Sequence, residues 1–332
     1  MNTFLATLTP MLTLFTCIAA GFALSKCKIL PDGSSKVMAK LETWIFCPAL
    51  SFMTMVRFCT VESIGAHLIN IILATAGVAL SLTLAIFLSR FFVQEKNAER
   101  GVYTYALAFA NGGYAGDPIV LALFGDVGLS YYKLFYLPFS LTINSWGIGV
   151  LIPKTEKNDS FWKRLLNAPT IAMLAGIAVG LSGLGNYLPT FFVNTLDSLK
   201  VCMGPVAMLL AGVTIAKYDF FAMLKKKKIY AVTGLRLVVL PIVIVSFIFC
   251  LKSLLNVVFG MSIGNDVLFL TFFGTATALG MNTVVFPEAY GGNPETGAGM
   301  AMISHTLCIL SIPLMYALMV AVFGVPFQSI VS

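Results

Sequence analysis

The stretch FANGGYAGDPIVLALFGD, Phe109 to Asp126, carries an Asn, three Gly, an Asp and a Pro within eight residues of an otherwise apolar segment. If this segment enters a membrane near Gly101, Asn111 lies about 15 Å deep, which is half of a hydrocarbon core roughly 30 Å thick. Backbone that is not paired in a helix at that depth must face protein or a watery cavity. The stretch therefore predicts a helix that is broken at the membrane midplane.

The amino-acid composition indicates whether water or lipid surrounds this stretch. Of the 332 residues, 58% are hydrophobic and 11% are charged, against about 25% charged in a typical soluble domain. The mean hydropathy is +0.92. We therefore expect an all-α integral membrane protein with lipids as its surroundings. The net charge of +7 lies in short loops, so it indicates a membrane surface and no nucleic-acid partner.

The apolar runs predict ten transmembrane spans, each long enough for the roughly 20 residues that a bilayer requires. The first is expected to be a retained span and not a signal peptide. The predicted spans are 3–24, 37–57, 64–92, 101–124, 128–152, 168–187, 190–215, 229–251, 266–287 and 298–323.

Sixteen of the 21 basic residues follow the odd-numbered spans. By the positive-inside rule these loops are cytoplasmic, which places both termini outside a plasma (cell inner) membrane. The polar segment 153–167 is then a cytoplasmic linker.

That linker divides the chain into two five-span halves, 1–152 and 168–332. Because each half has an odd number of spans, equivalent halves would be inverted relative to each other. Prolines and glycines recur in the same order in the two halves. Pro10 precedes Gly21 by eleven residues in the first half, and Pro169 precedes Gly180 by eleven in the second. Pro48 of the first half likewise corresponds to Pro205, and Pro138 corresponds to Pro313. We predict two inverted repeats, an architecture typical of secondary transporters.

Spans four and nine are the predicted broken helices. Span nine contains TATALGMNTVVFPEAYGGN, Thr275 to Asn293, with a break expected around Gly280 to Thr283. Asp117 followed by Pro118 is a helix-start signal, and a matching half-helix would start near Asn282 or Thr283. Two helix amino ends that meet at the midplane would attract a carboxylate. The candidate substrate-binding residues are Asn111, Gly112, Gly113, Tyr114, Gly116, Asp117, Pro118, Gly280, Met281, Asn282 and Thr283.

Simpler interpretations stand beside these. The G-x-x-x-G of Gly112 and Gly116 could serve only close helix packing, and for Gly176 and Gly180 packing is our prediction. Asp117 is either a helix cap or an ion-coupling group that titrates or holds a cation.

Other intramembrane polar residues carry weaker signals. His305 is a candidate proton relay, with a packing role as the alternative. Arg236 is expected to snorkel to the cytoplasmic surface. The span-end residues expected to be in contact with water are Glu42, Asp197 and Lys200.

The seven cysteines are scattered, and the two histidines show no metal-ligand spacing. We therefore predict no metal, no cofactor and no disulfide framework. The sequence has no convergent acid, base or nucleophile, so an enzyme is disfavoured.

At NGGYAGDP, Asn111 to Pro118, the chain resembles the auxin efflux carrier family, which includes plant auxin carriers and bacterial permeases linked to malate and malonate. The similarity extends to the central cytoplasmic loop, to NAP at 167–169 and to MGPVAMLLAGVTIA at 203–216. The most specific piece is Asn111 followed by Pro118 with Gly116 between them.

The resemblance implies a scaffold of spans one, two, six and seven, often forming a homodimer. It also implies a mobile unit of spans three to five and eight to ten, which moves elevator-fashion around the crossing of spans four and nine. Plant carriers have a proline at each crossover, where this chain has Ala110 and Ala278. This difference argues against auxin as the substrate and leaves another small organic anion.

We therefore predict a secondary transporter for a mono- or dicarboxylate, with H⁺ or Na⁺ as a candidate coupling ion. A sodium-coupled symporter of the bile-acid type and a channel are the alternatives.

Overall fold

The computed structural model describes residues 2–61, 64–95, 97–151, 168–219, 225–284, 287 and 294–327. These residues form helices joined by short segments, and none of them forms a β-strand. Five of the described helices are long and apolar enough to cross a membrane, and shorter apolar helices accompany them. The prediction of an all-helical, multi-pass membrane protein is confirmed. The predicted linker 153–167 lies outside the described residues.

The described residues of the first half form six helices. Helix α1 is Asn2–Lys26, and α2 consists of Ser34–Leu41, the π turn Glu42–Phe46 and Cys47–Phe58. Helix α3 is Ile64–Phe92 and α4 is Ala98–Ala108. The π turn Gly112–Gly116 leads into Asp117–Thr142, which Gly125 divides with a non-helical φ of 64° and ψ of −167°. We call 112–124 α5 and 126–151, with the π turn Ile143–Gly147 and the final turn Ile148–Leu151, α6.

Five further helices of 11 residues or more lie in the described part of the second half. Helix α7 is Ala168–Ser182, followed by the 3₁₀ turn Leu184–Tyr187, and α8 is Thr190–Ile215. Helix α9 consists of Lys227–Gly234, the π turn Leu235–Val239 and Leu240–Phe259. Helix α10 is Asp266–Ala276 and α11 is Pro294–Phe323.

Three of the π turns have a local cause in the sequence. Each is followed at once by a residue and a proline: Cys47-Pro48, Asp117-Pro118 and Leu240-Pro241. A proline ring inside a helix clashes with the carbonyl four residues earlier. A widened turn ahead of the ring relieves that clash, so the helix continues through the proline.

This widening overturns the predicted start of the second half-helix at Pro118. The backbone N–H of Asp117 bonds to the Gly112 carbonyl inside a continuous helix, and its side chain caps nothing. The helix restarts at Gly112, directly after Asn111.

The chain reverses direction at Gly125, so that α5 and α6 form an antiparallel hairpin. Gly112 packs against Tyr136 and Gly116 against Tyr132, so closely that a β-carbon at either glycine would overlap the tyrosine. The packing interpretation of these glycines is therefore correct for both of them, whatever else they do.

The interrupted helices α4 and α10 lie at the centre of the molecule. Every residue of 101–108 and of 267–276 is buried. Exposed apolar residues lie on the outer helices instead, for example Trp44 on α2 and Phe191 on α8. The surrounding helices thus keep lipid away from the broken backbone.

The outer helices pack closely as two pairs, α1 with α8 and α2 with α7. Gly21 and Gly212 allow the first contact, where a β-carbon on Gly212 would lie 2.7 Å from the Phe22 nitrogen. Gly176 and Gly180 allow the second, against the backbone of Phe52 and Cys59. The packing role predicted for Gly176 and Gly180 is confirmed.

We expect Gly212→Ala to lower the free energy of unfolding by about 1–3 kcal/mol, because the new methyl group meets backbone that cannot rotate away. Gly234→Ala is the matched control, since Gly234 is also helical and a β-carbon added to it would meet nothing within 4 Å. The control should be neutral or slightly stabilising. Thermal unfolding in detergent measures both variants, and equal stability of the two would contradict the close contact of α1 with α8.

Candidate functional site

The two helix interruptions meet each other at the centre of the protein. After α4, Phe109 is extended with a φ of −124° and a ψ of 127°. After α10, Thr277 is extended with a φ of −67° and a ψ of 160°. The two extended segments run antiparallel with a bridge between Ala110 and Leu279. The Asn111 N–H donates to the Ala278 carbonyl at 2.7 Å. Ala110 and Ala278 thus lie at the crossing.

Side chains satisfy several of the backbone groups that the interruptions release. The Ser81 hydroxyl donates to the Ala108 carbonyl at 2.7 Å, and the Tyr136 hydroxyl donates to the Ala110 carbonyl at 3.1 Å. The Leu279 N–H donates to the Ser304 hydroxyl at 3.0 Å. These bonds let irregular backbone exist in an apolar interior, where an unpaired group would be costly.

Helical structure resumes on both sides of the crossing. The N–H groups of Ala115 and Gly116 donate to the Asn111 carbonyl at 2.9 and 3.1 Å, which winds the first turn of α5. On the other chain segment, the Thr283 N–H donates to the Gly280 carbonyl at 3.2 Å. Both helix amino ends therefore begin next to the crossing.

A cavity of about 260 Å³ adjoins these two amino ends. Six predicted site residues line it: Asn111, Gly112, Gly113, Gly280, Met281 and Asn282. The lining residues that the sequence did not single out include Ala39, Thr43, Tyr105, Tyr136, Ser140 and Thr214. The Asn282 amide donates to the Tyr105 hydroxyl at 2.8 Å, which fixes the direction of both polar groups.

Four of the remaining predicted residues, Gly116, Asp117, Pro118 and Thr283, do not line this cavity. Gly116 packs against Tyr132, and Thr283 donates its hydroxyl to the Gly280 carbonyl at 2.8 Å. Asp117 and Pro118 lie one turn further along α5. The side chain of Tyr114 lies outside the described part of the structure.

His305 is bonded to the crossing from α11. Its Nδ1 lies 2.7 Å from the Ala301 carbonyl, which can only accept, so Nδ1 carries the proton. Its Nε2 therefore accepts from the Asn111 amide at 3.2 Å. His305 also lines a second cavity of about 780 Å³ beside Lys26 and Lys217. The Asn111–His305 bond thus lies between the two cavities.

Asp117 forms a buried ion pair with Lys133 of α6. Asp117 is fully buried and Lys133 is 8% exposed, and the second carboxylate oxygen, Oδ1, has no partner among the described residues. Lys133 was not among the residues predicted for the site, so this pair was not predicted. A signal was present, because Asp117 lies eight residues before Gly125 and Lys133 eight after it, as in a hairpin.

Two other charges are more deeply placed than predicted. Glu42, which was predicted to be in contact with water, is fully buried in the π turn of α2. Arg236, expected to snorkel, is 1% exposed in the π turn of α9. Its Nη1 donates to the Leu107 carbonyl at 3.4 Å. Both predictions were wrong because neighbouring helices cover these turns, which distance along the sequence does not reveal.

Asp197 and Lys200 were predicted to be in contact with water, and this is confirmed only for Asp197. The Asp197 side chain is 31% exposed, whereas that of Lys200 is 10% exposed. Lys200 pairs with Asp126 at 3.2 Å, and Arg57 pairs with Asp197 at 2.5 Å. This charged network links α2, α8 and the turn between α5 and α6.

The strongly apolar helices indicate a multi-pass membrane protein, and the paired interruptions beside an internal cavity form its candidate site. The sequence profile of the family described as membrane transport protein matches residues 6–316. The chain therefore belongs to that family, the auxin efflux carrier family, and is a membrane transporter of small molecules. No curated protein matched the chain significantly.

We expect Lys133→Met to destabilise the fold by about 3–5 kcal/mol, because it leaves a buried carboxylate without its cation. Adding Asp117→Asn should recover most of the loss. Lys226→Met is the control, since Lys226 pairs with Glu295 on the exposed surface and should change stability by less than about 1 kcal/mol. Thermal unfolding of the four proteins gives the comparison. A double variant as unstable as Lys133→Met would contradict the pairing.

Proposed function

We propose that this transporter moves a small organic anion, such as a mono- or dicarboxylate, and binds it at the crossing of the two interrupted helices. The observation that carries the proposal is that two helix amino ends, at Gly112 and near Asn282, adjoin one cavity. Helix amino ends present N–H groups and the positive pole of the helix dipole, which favour an anion.

The polar groups around the cavity support a carboxylate. The Asn111 and Asn282 amides each carry two N–H donors, and the bonds to His305 and Tyr105 use one of each. The second N–H of each amide can donate to a carboxylate. The cavity of about 260 Å³ lies just below the roughly 300–1,000 Å³ of sites for drug-sized ligands, so it suits a small molecule.

The buried Arg236 adds positive charge behind the crossing. Its guanidinium contacts the Leu107 carbonyl and acts electrostatically on the hydroxyls of Tyr132 and Tyr136, which bond to carbonyls at the crossing. Because charges interact strongly in a low-dielectric interior, this cation favours an anion at the nearby amino ends.

We propose that the chain has ten spans in two inverted repeats. The matching interruptions and the matching close pairs, α1 with α8 and α2 with α7, support this symmetry. In this arrangement α1, α2, α7 and α8 are the scaffold. Helices α3 to α6 and α9 to α11 are the unit that moves in an elevator-type cycle, with a homodimer as the proposed assembly.

The two ends of the protein differ in a way that supports alternating access. The cavity is lined by the first half of α2, the start of α7 and the last part of α8. These are the helix ends that adjoin the basic loops. The network of Arg57, Asp126, Asp197 and Lys200 joins α2 and α8 at the opposite end. We propose that the basic loops are cytoplasmic, that both termini lie outside the plasma membrane, and that this conformation faces inward.

A coupled cycle is part of the proposal, with H⁺ or Na⁺ as the coupling ion. Asp117 is the proposed coupling residue, and Lys133 is the cation that it holds in this conformation. His305 is a second candidate through its bond to Asn111.

A carboxylate that binds at the crossing should raise the thermal stability of the purified protein. At a hundred times its dissociation constant, a ligand stabilises by about 2.7 kcal/mol. We expect the shift to be lost in Asn111→Ala and in Asn282→Ala, because each removes a donor from the cavity. Asn186→Ala, on an exposed turn, is the matched control and should keep the shift.

Uptake into proteoliposomes separates the proposed carrier from its alternatives. A carrier gives saturable uptake of the stabilising carboxylate. Uptake that requires sodium would identify Na⁺ as the coupling ion, as in a bile-acid-type symporter, and unsaturable flux would favour a channel. A full thermal shift in both Asn variants would contradict binding at the crossing.

A further inference from the structure

Glu42 is a buried acid that the proposed transport site does not use. It lies fully buried in the π turn of α2, which packs against α7 and α8. Neither of its carboxylate oxygens has a hydrogen-bond partner among the described residues. An ionised carboxylate without a partner is strongly disfavoured in a membrane interior, so such a residue needs a neighbouring cation or a proton.

The charges that face Glu42 are those of the α5–α6 hairpin. Glu42 interacts electrostatically with Asp117, which holds Lys133. The Cys47 thiol, one turn along α2, lies within electrostatic range of all three groups. Helix α7 contains no charged residue. The charged residues of α8 are Asp197 and Lys200. They form ion pairs with Arg57 and Asp126, near the end of α2 that lies away from Glu42.

A count of charges in this group indicates a bound proton. Two ionised carboxylates and one ammonium leave a net charge of −1 in the interior. One added proton makes the group neutral, which is the state that a low-dielectric environment favours. Because Asp117 is already paired with the Lys133 ammonium, the proton belongs on Glu42.

We propose that Glu42 is a proton-binding residue at the contact between α2 and the α5–α6 hairpin, and that its protonation is linked to the position of this hairpin. The linkage rests on the proposed function, in which α2 is scaffold and the hairpin moves. Asp117 and Lys133 move together because both lie on the hairpin, and Glu42 is left behind. A site whose proton affinity differs between two conformations shifts their equilibrium when it is protonated.

Infrared spectroscopy of the purified protein in nanodiscs tests the proton site without any substrate. The wild-type protein should show the carbonyl-stretch band of a protonated buried carboxyl at neutral pH. Glu42→Gln should lose this band, and Asp32→Asn should keep it because Asp32 is exposed in the loop between α1 and α2. The wild-type spectrum is informative even if Glu42→Gln is unstable. Absence of the band in the wild type, or its persistence in folded Glu42→Gln, would overturn the proposal.

The linkage is tested by uptake of the stabilising carboxylate between about pH 5 and about pH 9, a range in which buried carboxyl groups titrate. The wild type and Asp32→Asn should change their uptake rate with pH, and Glu42→Gln should lose that dependence. A Glu42→Gln variant with the wild-type pH profile would overturn the linkage. If the wild type transports no carboxylate, the proposed function fails, whereas the infrared result still decides whether Glu42 holds a proton.

Discussion

The hydrogen bond from the Asn111 N–H to the Ala278 carbonyl is the constraint on which the rest of the structure depends. A helix that ends inside an apolar interior releases backbone groups that water cannot reach. Here two such ends are placed against each other, and Ser81, Ser304 and Tyr136 satisfy further groups. The amino ends that follow the crossing face the cavity. The arrangement that makes broken helices tolerable therefore also produces the feature that favours an anion.

Three buried charged residues lie in or directly beside the π turns that precede prolines. Glu42 opens one π turn, Arg236 lies within a second, and Asp117 directly follows a third. Each of these turns precedes a proline, and π turns are frequent at functional sites. Such turns place ionisable groups in the interior at defined depths. Lys133 balances Asp117, and Arg236 supports the crossing, while no described cation pairs with Glu42.

The sequence predicted those features that depend on local composition. The membrane class, the interruption at Asn111 and the packing role of Gly176 and Gly180 follow from hydropathy and from small residues in apolar runs. The start of α5 could not be predicted, because Asp117-Pro118 suits a helix start and a π turn equally well. The burial of Glu42 depends on helices distant in sequence, and its pattern of neighbours becomes visible only in the folded chain.

The most direct test of the central claim is a cryo-electron microscopy map of the protein with a stabilising carboxylate bound. The account predicts ligand density between the amino end of α5 at Gly112 and Asn282, within reach of the Asn111 amide. Density in the second cavity, beside Lys26 and Lys217, with the crossing empty would contradict it.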